Sequence, residues 1–283
     1  MDTYKKDKSE LINIPKPVFR WAGGKTWLLK HIDDLLPKSG FNNYHEPFLG
    51  GGAIYFHIGA SKKIFLSDLN HELIESYIQI RDNVETVIRH LRRFENEKDF
   101  YYRVRDEMRF QSAASKAARF IYLNQTSFNG IYRVNLEGKY NVPFGYRTKD
   151  FLEIDKLRTA SRYLNRVALK TQDFSKSLLN IKEGDLVFLD PPYTITHNNN
   201  GFFKYNKDLF TKNDQIRLAE YIQEIKVKGA FYIMTNAAHS EVKKIFTNGD
   251  LMFELSRAST VGGKKSKRGQ YKEIVLTNTK TSL

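Results

Sequence analysis

Cysteine is absent from this chain. That excludes disulfide cross-links, cysteine nucleophiles and thiolate zinc sites. No apolar stretch approaches the ~20 residues of a membrane-spanning helix. The first fourteen residues are rich in Lys, Asp and Glu and lack an apolar run, so residues 1–14 read as a flexible tail and not as a secretory signal. A cytoplasmic protein is the simple expectation. The histidines (His31, His45, His57, His71, His90, His197 and His239) fall at no metal-ligand spacing, and no metal is expected. No Ser/His/Asp order, internal repeat or low-complexity tract stands out. Acidic side chains are in deficit, with 32 Asp plus Glu against 46 Lys plus Arg and a formal net charge of +14. Such an excess favours a polyanionic partner, with nucleic acid the default and a merely basic soluble protein the alternative.

What is present is a globular composition, 41% hydrophobic and 28% charged over 283 residues, enough for one large domain or two modest ones. The most informative run is Leu186-Val187-Phe188-Leu189-Asp190-Pro191-Pro192-Tyr193. Four apolar residues read as a buried strand. Two prolines then end ladder hydrogen bonding and force the chain out of the sheet. A carboxylate, rigid carbonyls and an aromatic ring are thereby set at the carboxyl end of a central strand, where open α/β sheets bind ligands. Acceptors beside a flat ring suit a planar, amine-bearing group such as a nucleobase. An ordinary proline-rich strand exit is the bland alternative.

Around this run the pattern is that of a doubly wound α/β sheet. A helix is predicted from Lys25 to Leu36, ending before Pro37. Tyr44-His45-Glu46 leads into Pro47-Phe48-Leu49-Gly50-Gly51-Gly52, which opens a helix from Ala53 to Ile58. Ile64 to Asp68 is the next strand, with a helix from Glu72 to Arg81 after it. This is one βαβ unit. Residues 84–123 have helical periodicity, and 124–146 are turn-rich at Asn129-Gly130, Glu137-Gly138 and Pro143. Beyond residue 150 the pattern resumes: a helix at 153–164, strands at 166–170, 186–190 and 229–234, a helix at 211–227, and paired strands at 250–257 and 271–278. The organisation read is a sheet domain of residues 15–82 and 150–283, with 83–149 inserted into it.

Each remaining motif has a functional and a bland reading. The glycine turn at 50–52 lets backbone approach a ligand, and Asp68, ending the next strand, can accept hydrogen bonds from ribose hydroxyls. Helix-on-strand packing, and capping of the next helix by Asn70 or Asp68, explain the same residues without a ligand. The turn is not G-x-G-x-x-G, which disfavours a nicotinamide cofactor. Trp21-Ala22-Gly23-Gly24-Lys25 lacks full P-loop spacing, so NTP hydrolysis is discounted. A lysine at a helix start opposes the macrodipole and hints at an anionic partner such as a carboxylate. From Ala258 to Lys272, both included, there are five bases and no acid. They suit phosphate contacts through Lys264, Lys265, Lys267 and Arg268, or a solvated hairpin tip.

Taken in order, Trp-Ala-Gly-Gly-Lys, Pro-Phe-x-Gly-Gly-Gly, an insertion, and Asp-Pro-Pro-Tyr resemble the DNA adenine-N6 methyltransferases of the Dam type, over roughly residues 17–278. Phe128-Asn129-Gly130-Ile131-Tyr132-Arg133-Val134-Asn135 with Asn141-Val142-Pro143-Phe144-Gly145 is similar to that family's DNA-reading hairpin. The resemblance implies a Rossmann-like methyltransferase sheet with a mostly helical inserted recognition domain carrying a β-hairpin. It implies S-adenosylmethionine as cofactor, held by Trp21, Lys25, Phe48, Gly50 and Asp68, with Asp173 and Phe174 at its adenine and Asp190 beside it. Asp190, Pro191, Pro192 and Tyr193 would grip an adenine flipped from duplex DNA. Arg20, Phe128, Asn129, Ile131, Arg133 and Pro143 would contact the DNA, and the hairpin suggests a GATC target. A monomer is expected, with two copies per DNA site as the alternative. Rival readings are a cytosine-N4 or RNA-base methyltransferase and a catalytically silent DNA binder.

Overall fold

The computed structural model describes residues 16–59, 62–193, 210–246, 249–258 and 270–281. The expected tail at 1–14 and the four basic residues Lys264, Lys265, Lys267 and Arg268 lie outside the described residues. In chain order the elements are α1 (Leu29–Leu35), β1 (Tyr44–Glu46), α2 (Ala53–Ile58), β2 (Ile64–Asp68), α3 (His71–Leu91), α4 (Lys98–Tyr102), α5 (Ala113–Thr126) and α6 (Ile154–Leu164). There follow β3 (Ala168–Thr171), β4 (Leu186–Leu189), α7 (Lys212–Val227), β5 (Phe231–Ala237), α8 (Ser240–Ile245), β6 (Leu251–Ala258) and β7 (Gln270–Thr277).

The chain forms two compact units. One comprises Trp27–Leu49, Ser61–Ser67 and Gln172–Leu283 so far as these are described, and holds most of the sheet. Its strands run in the order β2-β1-β4-β5-β7-β6. β1, β2, β4 and β5 are parallel, while β7 is antiparallel to both β5 and β6. Every residue of β4 is buried, as a parallel strand covered on both faces requires, which is why it reads as an unbroken apolar run. Val187 and Leu189 join Phe174, Leu218, Ile222, Met234 and Leu276 in one hydrophobic core. Helix α7 begins with a reciprocal capping box between Thr211 and Asp214 and lays Leu218, Tyr221, Ile222 and Ile225 into that core. The strand order reverses between β1 and β4, so the carboxyl ends of these two strands mark the topological switch point.

The other unit comprises the described parts of Met1–Thr26, Gly50–Ala60 and Asp68–Thr171. Helix α3 packs against α5 and α6. Tyr122 of α5 lies at the centre of an aromatic cluster with Phe94, Phe100 and Phe151. After α5 the chain folds back on itself, bridged antiparallel at Ser127 with Phe144 and at Val134 with Tyr140. Tyr140 lies 2.8 Å from the Ile131 carbonyl and 3.0 Å from Ser127 Oγ, and burial pushes its hydroxyl up to about 12. It therefore stays protonated and pins the base of this loop.

Two predicted helices differ from those found. The helix expected over Lys25–Leu36 is a 3-10 turn, Lys25–Leu28, followed by α1, and Leu36 is already extended at ψ 148°. A residue before proline is pushed out of the helical region, which accounts for the early end. Helix α3 does not stop at Arg81. It bends at Asn83 (φ −138°, ψ 33°) and continues, because Val87, Ile88 and Leu91 prolong the buried stripe.

Candidate active site

In the sheet-bearing unit, the carboxyl end of β4 delivers Asp190. Thr235 of the neighbouring β5 donates its hydroxyl to Asp190 Oδ1 at 2.8 Å. Parallel pairing sets this up: Leu189 is in register with Met234, so the residue after each strand partner is again a neighbour. Pro191 is buried, and the Tyr193 hydroxyl donates to Glu273 Oε2 of β7 at 2.5 Å. Glu273 is 2% exposed and fixes the direction of the Tyr193 ring. Asp190 and Tyr193 are thus both held from strands far away in sequence.

The same unit carries Phe48, which stacks on Phe174 with ring centroids 5.3 Å apart. Phe174 is buried, and Arg217 lies over its ring at 5.0 Å. Asp173 accepts from the Ser175 N–H and hydroxyl at 3.0 and 2.6 Å and pairs with Arg217 at 2.8 Å. Burial pushes the Asp173 carboxyl up, but these Ser175 and Arg217 contacts outweigh it and leave it below the usual range. At β1, buried His45 bonds Asp185 through Nε2 at 2.9 Å and stacks on Phe65. Its ring is pushed down by burial, against the opposing pull of Asp185.

In the other unit the glycine turn is built around Asp68. Asp68 Oδ2 accepts the Gly50 N–H and Oδ1 the Asn70 N–H, both at 2.9 Å. Burial raises this carboxyl above its ordinary value, opposed by backbone N–H groups of Asn70, Gly50 and Leu69. It is Asn70, not Asp68, that caps α3, accepting from the Leu73 N–H at 3.0 Å. Gly50 sits at φ +47°, where a Cβ would come 2.7 Å from Trp21 Cδ1, so the indole closes off the space beside the turn and only glycine fits. Lys25 is 3% exposed and donates to the Gly23 carbonyl at 2.6 Å. Trp21, Gly50 and Asp68 are brought together.

The DNA-contact candidates of this unit also cluster. Arg133 holds its own loop by donating to Asn141 Oδ1 at 2.7 Å and to the Asn141 carbonyl at 3.2 Å. Phe128 is 48% exposed, and Asn129 turns the chain at φ 56°. Ile131 is half-buried and Pro143 exposed. Arg20 reaches the carbonyls of Gln125 and Ser127 at 3.5 and 3.4 Å, while Asn124 clasps its backbone on both sides. Sequence reasoning gave no role to Thr235, Glu273 or Tyr132, whose partners are 45, 80 and 60 residues away. No local pattern announces such pairs. Among the described residues, no group of three or more His, Asp or Glu could hold a metal ion, and no helix is long and apolar enough to cross a membrane.

A doubly wound sheet whose central strand ends in an acid, two prolines and a tyrosine has the fold of a Rossmann-like methyltransferase. Residues 21–260 match the family described as D12 class N6 adenine-specific DNA methyltransferase, and the chain belongs to it. It is 34% identical over 277 residues to the Type II methyltransferase M1.LlaDCHI of Lactococcus lactis subsp. cremoris, covering 94% of this chain and 96% of that one. Against the Type II methyltransferase M.MjaIII of Methanocaldococcus jannaschii it is 31% identical, covering 92% and 98%. A DNA adenine methylase of Salmonella typhi is 31% identical over 212 residues, 73% of this chain and 75% of that one. The protein is an adenine-specific DNA methyltransferase, which sets aside the cytosine-N4 and RNA-base readings.

Proposed function

We propose that this enzyme transfers the methyl group of S-adenosylmethionine to N6 of an adenine flipped out of duplex DNA, at GATC or a related short site. The observation that carries the reading is the Thr235 hydrogen bond that fixes the Asp190 carboxylate at the exit of β4. The residues present suit the cofactor. A glycine turn that tolerates no Cβ lies against an indole, and an acid is ready to accept from vicinal hydroxyls. In this reading Trp21, Lys25, Gly50 and Asp68 take the methionine end and ribose. Phe48, Asp173 and Phe174 take the adenine end.

When bound, the cofactor supplies an electrophilic methyl on sulfur. The chain's own task is to orient a poor nucleophile, because the adenine amino nitrogen is conjugated with its ring. Asp190 Oδ and the Pro191 carbonyl accept its two hydrogens, draw the nitrogen toward sp³ geometry and aim its lone pair. Tyr193, its hydroxyl anchored by Glu273, offers a face for stacking the base. Such positioning supplies much of a rate enhancement. Asp190 need not remove a proton first: the amino nitrogen would become acidic only once it carries the methyl group, and its proton would then pass to the Asp190 carboxylate or to solvent. Flipping costs a few kcal/mol, offset by pocket contacts.

Residues 83–149 serve as the recognition insertion, with Arg133 reading guanine O6 and N7, worth about 1–3 kcal/mol of discrimination. Arg20, Phe128, Asn129, Ile131 and Pro143 shape that contact, and Lys264, Lys265, Lys267 and Arg268 hold phosphates. The names of the first two relatives support a place in a restriction-modification system. A cytoplasmic monomer, one copy acting per strand, completes the proposal. The test is transfer of labelled methyl to unmethylated plasmid, with nucleoside analysis and modified-base sequencing. N6-methyladenine confined to GATC supports the reading, whereas methylation at an unrelated motif overturns the target assignment.

A further inference from the structure

We propose that Tyr132 is a positioning residue that couples the cofactor residues to the target-reading loop, so that cofactor occupancy and sequence-selective DNA binding reinforce one another. The inference rests on the reading above, which gives Trp21 to the cofactor and Arg133 to the DNA. Tyr132 precedes Arg133 in the chain, yet its ring belongs with the other group. It stacks on Trp21 with centroids 5.8 Å apart and planes 18° from parallel. Its hydroxyl donates to Glu72 Oε2 at 2.8 Å. Glu72 lies in the first turn of α3, whose cap Asn70 gives its N–H to Asp68 Oδ1. On the glycine side, the Trp21 indole is the group that a Cβ at Gly50 would strike. Behind it, Tyr132 packs on Phe120 and Tyr140, the residue that pins the loop base.

One aromatic ring therefore links the two sets of residues: Trp21 on one side, Glu72 at the start of α3 on another, and the loop carrying Arg133 through its own backbone. Any shift of the indole on cofactor binding must be accommodated by the Tyr132 ring, and with it by the loop carrying Arg133. Coupling of this kind is reciprocal: each ligand raises affinity for the other by the same factor.

The experiment measures binding of the full chain to a duplex carrying its target site, and to one with a single base pair changed, with and without S-adenosylhomocysteine. The wild type is expected to bind the target duplex about tenfold tighter with S-adenosylhomocysteine present. Tyr132→Ala should bring that ratio close to one and compress the preference for the target duplex. Tyr132→Phe, which keeps the stack, should restore most of both. Tyr132→Leu fills the space without a ring and carries the test should the alanine variant fail to fold. A wild-type ratio of one, or an unchanged ratio in a folded Ala or Leu variant, overturns the inference. Two controls separate it from the reading beneath it. If Trp21→Ala leaves S-adenosylhomocysteine affinity intact, or Arg133→Ala leaves sequence preference intact, the assignments fail. If both behave as assigned while Tyr132 variants keep the wild-type ratio, only the coupling fails.

Discussion

Asp190 illustrates how a single side chain depends on another. Its Oδ1 accepts from Thr235, and a hydrogen bond to a charged group is worth about 1.5–3 kcal/mol. Thr235→Val keeps the shape and removes the donor. Its kcat should fall roughly tenfold or more while DNA affinity holds, by single-turnover transfer and gel-shift titration; an unchanged kcat would show that the carboxylate needs no such anchor. Asp190→Ala should abolish transfer and leave DNA binding largely intact. Gly50 is a different case, limited by backbone and space together. Gly50→Ala must adopt φ +47° and displace the Trp21 indole. It should cost at least about 1 kcal/mol of stability and weaken cofactor binding, measured by thermal unfolding and calorimetric titration.

Among the elements, β1 carries the buried His45, paired with Asp185 just before β4. Burial lowers the His45 pKa below its ordinary 6.5, so the folded state favours the neutral ring more than the unfolded chain does. The unfolded state then binds the extra proton first. The resulting stability is present above about pH 6.5 and is lost as pH falls from there through the depressed folded value. The melting temperature of the wild type should therefore fall more steeply from about pH 7 to 5 than that of His45→Gln; parallel curves would refute the role of this ring. Helix α7 was readable in advance because its start signal is local: Thr211 and Asp214 stand at capping-box spacing. The bend of α3 at Asn83 was not, since it depends on which face each half of the helix buries.

For the molecule as a whole, a net charge of +14 makes DNA affinity depend on salt. Each phosphate contact contributes about 0.9 to the slope of log affinity against log salt. Replacing Lys264, Lys265, Lys267 and Arg268 by glutamine should lower that slope by about one to four, with little change in sequence preference. An unaltered slope across the salt series would remove this segment from the DNA interface.

The sequence was sufficient wherever the governing forces act over a few neighbouring residues. The apolar run of β4 and its proline exit, the glycine turn before α2 and the pairing of β6 with β7 all follow from periodicity and backbone restriction. The family resemblance was legible for a different reason: its motifs are contiguous stretches of sequence that can be matched directly. Tertiary structure alone decided the partners. Thr235 reaches Asp190 across 45 residues, Glu273 reaches Tyr193 across 80, and Asn124 clasps Arg20 across 104. It also inserted β7 between β5 and β6. Contacts over such separations cost loop-closure entropy and form only when the core has packed, so no local propensity records them.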